Sequence, residues 1–438
     1  VFNLSVDSDP LLFQLVPKLK GLEPIKITGK YNNVVDSLEV KGTIPKIIYD
    51  TNTISDGKIN IEAKDKALEY QVSVTPVESG DFKIPFVGLS GKIENNILEY
   101  ALQIKDKEDK EQYFIKGELL HENAKSTIKF DSDNFVLNYD KWNLNSENCI
   151  EFGDKRLYID KFFLDNSGNE LKIQSQNEGK NAPLQIDFVN FKIETILNMV
   201  TKDKLLAQGL INGSALVENV MTKPTFTSDL KIGDFSFKGE PVGDIGIKVD
   251  YKTNNLLTAN ITLSEQGNDV NLTGNYKIDD STFDFDVAIN HLNIKSIQGF
   301  SMGNLKDGSG YLSGNFKITG NADAPKVNGE LDFNDTAFKV TKFDSNFKIT
   351  NEKIKLEDGA IIFDNFSVYD ENKNELFVNG KINSNDFKNY DFGLTIKADN
   401  FRAINSTEAD NDLFYGDLFL DANLNIKGTL DNQVVGGK

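Results

Sequence analysis

The side chains that most often perform catalysis or bind metals are few and scattered in this sequence. Cysteine occurs once, at Cys149, and histidine twice, at His121 and His291. One cysteine cannot form an intrachain disulfide, and two isolated histidines make neither a metal site nor a proton relay. We therefore expect Cys149, together with Trp142 in the segment KWNLNSENCIEF, to be a core residue of a strand pair.

Carboxylates are abundant, but their arrangement indicates solvated turns and outward strand faces. Runs such as DKEDKE and DDSTFDFD mix acids with lysines or with alternating apolar residues. The segment DNSGNE at 165–170 has too few ligands in EF-hand spacing, and no Asp-rich turn recurs at a fixed period. No glycine-rich phosphate loop leads into a helix, and no G-x-S-x-G elbow occurs. The sequence thus predicts no enzyme, no catalytic residue, no metal and no cofactor.

The overall charge excludes one class of partner. The chain has 438 residues, of which 67 are acidic and 48 basic, and its formal net charge is −19. Nucleic-acid binding depends on neutralising phosphates with Lys and Arg, so this balance argues against it. No stretch of 18 apolar residues occurs, so the sequence predicts no membrane-spanning helix. The repeating pattern described below continues to the end of the sequence, and the chain is therefore expected to be a piece of a longer protein.

Alternating apolar and polar residues predict a mainly β protein. The segment LFLDANLNIKG places Leu418, Leu420, Leu424 and Ile426 on one face, and STFDFDVAIN and DIGIKVDY behave in the same way. Asn-Gly, Asp-Gly and Ser-Gly punctuation separates or interrupts these runs, as turns or bulges do. At about one strand per 12 residues, the length predicts on the order of 36 strands.

Four short segments are expected to be helical instead. IETILNMVTKDKLLAQG has apolar residues near helical spacing, with Gly209 as a stop. IKSIQGF and NFRAINSTEADNDLF occupy equivalent places farther along the chain, and DPLLFQLVPKL near the start could form a short turn of helix. We expect them to form brief caps or plugs, because they are too few to make a helical layer.

One phrase is repeated about every hundred residues. GLINGSALVENVMTKPTFTSDLKI starts at Gly209, and GYLSGNFKITGNADAPKVNGELDF starts 101 positions later at Gly310. A third copy, YGDLFLDANLNIKGTLDNQVVGG, starts at Tyr415 and reaches the end of the chain. Such periodicity is typical of arrays in which each unit packs on its neighbours. Small residues recur on the shared face at Gly213, Gly314 and Ala422, either to leave room there or to form bends.

The repeats set the expected architecture. We predict a divergent N-terminal part over 1–185, repeat units over 186–292 and 293–399, and the start of another over 400–438. A one-faced sheet of this length must hide its apolar face in sandwiches, in a closed cylinder, or in a curled half-pipe. From the alternation alone, a self-filled core is the more ordinary outcome.

The phrase G-x-L-x-G-x-F-x-I-x-G-x-x-x-x-P-x-V-x-G-x-L at 310–331 resembles the repeat of the TamB/AsmA-like envelope proteins. The opening segment DPLLFQLVPKLKGLEPIKITGKYNNVVDSLEVKGTIPKIIY is similar to the middle region of TamB-like proteins of the Bacteroidota type. The resemblance implies an all-β fold, an elongated curled antiparallel sheet (β-taco) with a hydrophobic groove and a few short helices.

The same resemblance implies a cellular location and partners, and it implies that two segments of the family's full-length protein are missing from this chain. Such proteins cross the Gram-negative periplasm from an inner-membrane anchor, are thought to conduct phospholipids to the outer membrane, and pair with an outer-membrane barrel of the BamA kind. The chain is expected to lack both the anchor and the family's C-terminal domain. It is then a periplasmic part of a bridge-like lipid transfer protein that supports outer-membrane biogenesis.

The predicted site is the apolar face that the repeats share, where phospholipid acyl chains would lie. A structural spacer, an adhesin-like array, or a role restricted to outer-membrane protein assembly remains the alternative. The residues expected to line the groove are Ile211, Ala215, Val217, Leu230, Ile232, Leu312, Phe316, Ile318, Leu331, Phe333, Leu420, Leu424 and Ile426.

Overall fold

A computed structural model of the chain shows an almost purely β protein, with about 72% of residues in strands and 5% in helices. It describes residues 1–64, 66–79, 82–153, 156–200, 206–253, 255–384, 386–411, 413 and 415–437. The chain divides into two compact units. Unit 1 comprises Val1–Lys204 and Ser214–Thr225, and unit 2 comprises Leu205–Gly213 and Phe226–Lys438.

Unit 1 contains nineteen strands in the part of the chain that the structure describes. They are β1 (Phe2–Val6), β2 (Leu19–Leu22), β3 (Ile25–Asn32), β4 (Ser37–Tyr49), β5 (Asn52–Lys64), β6 (Ala67–Val74), β7 (Val77–Ser79), β8 (Phe82–Ile84), β9 (Phe86–Glu94), β10 (Ile97–Lys105), β11 (Glu111–Glu122), β12 (Lys125–Phe130), β13 (Phe135–Leu137), β14 (Asp140–Leu144), β15 (Cys149–Gly153), β16 (Arg156–Asp160), β17 (Phe162–Asn166), β18 (Asn169–Ser175) and β19 (Leu184–Lys192).

All the strand pairs recorded in unit 1 are antiparallel. Mostly neighbouring strands pair, for example β3 with β4, β9 with β10, and β17 with β18. The predicted core position of Trp142 is confirmed: its side chain is 1% exposed and its ring lies 5.6 Å from that of the equally buried Phe191. Cys149, in contrast, is only half-buried in β15.

Strand β20 (Ala207–Glu218) is divided between the two units, and unit 2 continues as an antiparallel succession of strands. These are β21 (Thr225–Phe237), β22 (Glu240–Thr253), β23 (Leu256–Glu265), β24 (Asn268–Lys277), β25 (Thr282–Asn293), β26 (Leu305–Asn321), β27 (Pro325–Val340), β28 (Ser345–Ile349), β29 (Glu352–Glu357), β30 (Ala360–Tyr369), β31 (Glu375–Asn383), β32 (Asp391–Ser406), β33 (Gly416–Thr429) and β34 (Asn432–Gly437).

The repeated phrase adopts the same secondary structure in all three copies. Each copy is a strand followed by a second strand: β20 and β21, β26 and β27, and β33 and β34. The expected class, all-β and antiparallel with few short helices, is confirmed. The division into 1–185, 186–292, 293–399 and 400–438 stays a prediction.

Helix is as sparse as predicted, although two of its expected limits are wrong. The helices are α1 (Pro10–Leu15), α2 (Glu194–Val200) and α3 (Ile294–Ile297), with short 3-10 segments at Gln298–Ser301 and Thr341–Phe343. The Asp9 side chain caps α1 by accepting a hydrogen bond from the Leu11 N–H.

The first correction concerns Gly209, which lies inside β20 and therefore does not end a helix. Residues 201–205 of that predicted helix lie outside the described residues. The second concerns 400–414, where the segment up to Ser406 belongs to β32 and the described residues beyond it form no helix.

Bulges of one recurring type interrupt the long strands of unit 2. Asp234, Asn365 and Asn400 have left-handed backbone conformations, with φ of 52°, 49° and 49°. Each lies where the register with the next strand shifts, and each is followed by phenylalanine. Asn and Asp tolerate this conformation better than other non-glycine residues, and the extra residue turns the next side chain back toward the same face.

Candidate functional site

Antiparallel pairing in unit 2 aligns apolar residues into rows that cross the strands. Residues directly opposite each other in such pairs share a face of the sheet. The first row, called the Phe316 row, runs from β21 to β33 without a polar side chain. Its members are Leu230, Ile247, Ile261, Leu272, Val287, Phe316, Gly329, Leu356, Ile361, Ile382, Phe392 and Gly428.

A second row lies beside it on the same face, displaced by two residues along each strand, and extends to β34. This Leu331 row consists of Ile232, Ile245, Leu263, Val270, Ile289, Gly314, Leu331, Ile354, Phe363, Gly380, Leu394, Ile426 and Val435.

Two shorter rows flank this pair. The Ile318 row consists of Ser228, Val249, Ala259, Gly274, Phe285, Ile318 and Val327. The Phe333 row consists of Leu292, Leu312, Phe333 and Glu352. We call the four rows together the apolar face of unit 2.

The opposite face of the same strands is charged. Lys317 bridges Asp284 and Asp286, with 3.0 Å to the Asp286 carboxylate, and Lys353 lies 2.7 Å from the Glu330 carboxylate. Hydrogen bonds to the two aspartates raise the pKa of Lys317, and the bond from Lys353 lowers the pKa of Glu330. Because these pairs are exposed, they add little stability, but they keep this face wet.

The small residues at matched repeat positions are sites of close backbone approach. A Cβ on Gly314, whose φ is +156°, would lie 2.1 Å from the carbonyl oxygen of Glu330 on the next strand. A Cβ on Gly213, with φ of +114°, would lie 2.2 Å from the Asp229 carbonyl oxygen. The sequence offered room for a ligand or a bend as the reason for these glycines, whereas the structure shows close approach of the neighbouring backbone at both.

Aromatic rings lie over two other glycines of the apolar face. A Cβ on Gly329 would come within 2.8 Å of the Phe316 ring, and one on Gly274 within 2.6 Å of the Phe285 ring. The glycine thus lets the ring of the neighbouring strand lie down against the sheet, as aromatic residues do when they cover strand glycines.

The structure assigns every predicted lining residue to a strand and leaves most of them partly accessible. Leu312 is buried, at 8% exposed, and the other twelve are half-buried. Ala215 and Val217 belong to unit 1, and the rest belong to unit 2. The repeat alignment missed the equally apolar contributions of β22 to β25 and β29 to β32, although alternation in those segments was visible.

One end of the apolar face is closed by its own side chains. Thr336 is fully buried, Ile349 and Phe366 are nearly so, and the rings of Phe347 and Phe401 stack at 5.6 Å with an interplanar angle of 7°. This cluster is an ordinary protein core. Self-filling therefore accounts for this end, whereas the four rows remain half-exposed.

Comparison with protein families yields one match. Residues 254–360 and 364–438 match the model of the TamB C-terminal domain. This match, which covers less than half of the chain, supports a TamB-like assignment for residues 254–438. The match covers the strands that contribute most of the apolar face, β23 to β34. No curated protein and no solved structure matches the chain.

The match corrects one expectation about the chain. Its second half, expected to lie upstream of the family's C-terminal domain, matches that domain itself. The family is one of transport and assembly in the Gram-negative envelope and is not enzymatic. No helix among the described residues is long and apolar enough to cross a membrane.

Proposed function

We propose that the chain is part of a periplasm-spanning, bridge-like lipid transfer protein. It moves phospholipids between inner and outer membrane along the apolar face and so supports outer-membrane biogenesis. Its partners are then phospholipid acyl chains, the inner membrane through an anchor of the parent protein, and an outer-membrane barrel of the BamA kind.

The observation that carries this proposal is the continuity of the half-exposed apolar rows across strands β21 to β33. Each methylene removed from water contributes about 0.8 kcal/mol, so transfer of a 16-carbon chain from water is favoured by roughly 13 kcal/mol. The Phe316 and Leu331 rows supply that environment from β21 to β33, and these two rows contain no polar side chain that would hold an acyl chain at one place.

The proposed lining follows the rows rather than the repeats alone. It includes the eight predicted residues that lie in the rows, and it extends to their partners in register, such as Ile247, Val287 and Ile354. The other five predicted residues lie outside the four rows and stay a prediction: Ile211, Ala215, Val217, Leu420 and Leu424. A spacer or an assembly scaffold would instead need this face filled by protein, as it is in the cluster around Phe347 and Phe401.

Photo-crosslinking along β26 in the native envelope tests the proposal. A crosslinkable residue is placed at each position from Leu312 to Ile318 except Gly314, where a side chain would collide with the Glu330 carbonyl oxygen. Phospholipid adducts at 312, 316 and 318, with none at 313, 315 and 317, are expected, because side chains alternate between the faces. Adducts to protein alone at all six positions would support the spacer or scaffold.

A charge placed on each face provides a matched pair of variants. Phe316→Asp puts a carboxylate in the Phe316 row and is expected to reduce copurified phospholipid at least fivefold, since a charge beside acyl chains is poorly solvated. Thr319→Asp adds the same charge to the same strand on the opposite face, in register with Lys326. That control should retain the wild-type lipid content. Equal lipid content in both variants would place the route elsewhere.

A further inference from the structure

One acidic side chain stands within the apolar face. Glu352 lies directly opposite Phe333, which in turn lies opposite Leu312. In the four rows that form the apolar face, Glu352 is the only acidic or basic residue. The other carboxylates of these strands, such as Glu330 and Asp332, lie on the charged face, where Lys353 pairs with them.

Among the described residues, no cation pairs with the Glu352 carboxylate. The backbone N–H and hydroxyl of Ser367 in β30, a residue that is 4% exposed, lower the pKa of Glu352. In the described part of the chain, no lysine or arginine side-chain nitrogen lies within 4.0 Å of the Glu352 carboxylate, and the nearby Lys353 and Lys355 pair with acids of the charged face. The charge of Glu375, which is also an acid, raises the pKa of Glu352.

The surroundings of the Glu352 carboxylate therefore favour the binding of a cation. Burial raises the pKa of Glu352, and the neighbouring Glu375 raises this pKa further, while the bonds from Ser367 lower it. A cation beside the carboxylate would remove the cost of holding it in a partly apolar place. The Phe333 row also borders the closed cluster, since the rings of Phe333 and Phe366 meet at 5.3 Å. The open apolar surface thus extends away from Glu352 over the Leu331 and Phe316 rows.

We propose that Glu352 receives the ammonium group of a zwitterionic phospholipid whose acyl chains lie on the Leu331 and Phe316 rows. This inference rests on the proposed lipid-transfer function and adds a headgroup preference to it. Lipids with an ammonium head are favoured there over anionic lipids, because the only charge on the apolar face is negative.

Native mass spectrometry of the purified chain tests the inference. The protein is incubated with an equimolar mixture of phosphatidylethanolamine and phosphatidylglycerol that carry identical acyl chains. The wild type is expected to bind the ethanolamine lipid about fivefold more, in keeping with one partly screened charge contact. Glu352→Gln keeps an oxygen for Ser367 but loses the charge, and its ratio should fall to about one.

A matched control is Glu330→Gln, which removes a carboxylate from the charged face of the adjacent strand and should retain the wild-type ratio. A wild-type ratio near one, or an unchanged ratio in Glu352→Gln, would overturn the headgroup inference and leave lipid transfer standing; Glu352 would then only support Ser367. If neither lipid binds, the proposed function fails, and the inference fails with it.

Discussion

At the scale of single residues, the apolar face is shaped by its glycines and contains one carboxylate. Phe316 lies flat because Gly329 has no side chain beneath its ring, and Gly314 lets two backbones approach closely. Glu352 is the exception, a carboxylate in a row of apolar neighbours. Such a group should affect folding as well as binding, and its effect should depend on pH.

The pH dependence of Glu352 has a definite sign. Its folded pKa is raised above the ordinary value of 4.5, so between these two values the folded state binds more protons than the unfolded state. The stability of the wild type therefore falls as pH rises through that window, and the loss persists above the folded pKa. In Glu352→Gln this loss is absent.

We accordingly expect the free energy of unfolding of Glu352→Gln, relative to the wild type, to be higher at about pH 7 than at about pH 4. Urea unfolding at a series of pH values measures the difference. A difference that is constant or falls with rising pH would show that Glu352 is not destabilised by its surroundings.

At the scale of elements, the bulges of unit 2 share one hydrogen-bonding device. The backbone N–H of Asn365 donates to the Asn379 side-chain oxygen at 2.7 Å, that of Asn400 to Asp421 at 2.7 Å, and that of Asp234 to Asp244 at 2.9 Å. In each case the acceptor is the single residue opposite the bulge. The bulge N–H, which loses its ladder partner, is thereby satisfied.

Removal of one acceptor should weaken the strand pair locally. Asn379→Ala is expected to lower the free energy of unfolding by about 1 kcal/mol, because the exposed Asn365 N–H loses its side-chain partner. Faster hydrogen exchange at the Asn365 amide should accompany the loss. Asn379→Asp keeps a side-chain oxygen at the same position and should exchange as the wild type does. Faster exchange in both variants would mean that the acceptor oxygen is not what protects this amide.

At the scale of the whole molecule, each unit has a buried cluster of its own. Trp142 and Phe191 meet in unit 1, and Phe347 stacks on Phe401 in unit 2. A succession of strands that pair mostly with their neighbours transmits a local defect over short distances only. Stability should therefore differ between parts of the chain.

Trp142→Ala tests this locality. Truncation of a fully buried tryptophan is expected to cost about 3–5 kcal/mol in unit 1. Hydrogen exchange should increase in β13 to β19, and protection of β26 to β33 should be unchanged. Phe401→Ala is the matched variant in unit 2 and should give the reverse pattern. A uniform loss of protection over both units would show that the chain unfolds as one cooperative body.

Several features of this protein could be predicted from the sequence because they depend on local order. Alternation in segments such as STFDFDVAIN determines that a strand has one apolar face, whatever its neighbours are. The spacing of Gly310, Gly314 and Pro325 was enough to find the repeats and the TamB resemblance. The face that contains Phe316 and Ile318 was predicted for the same reason.

Other features depended on register, which joins residues that local patterns do not relate. Pairing of β27 with β29 places Glu352 opposite Phe333, and nothing near residue 352 in the sequence indicates that neighbour. The segment from Asn400 was expected to be helical because it precedes the third copy of the repeated phrase, whereas a bulge there interrupts a strand. The recurring Asn/Asp-Phe pairs were visible in the sequence. They can be recognised as bulges only when the partner strand is known, because a bulge is an extra residue relative to that strand. Tertiary structure alone decided which apolar residues form continuous rows, because a shift of one residue turns every side chain of a strand to the other face.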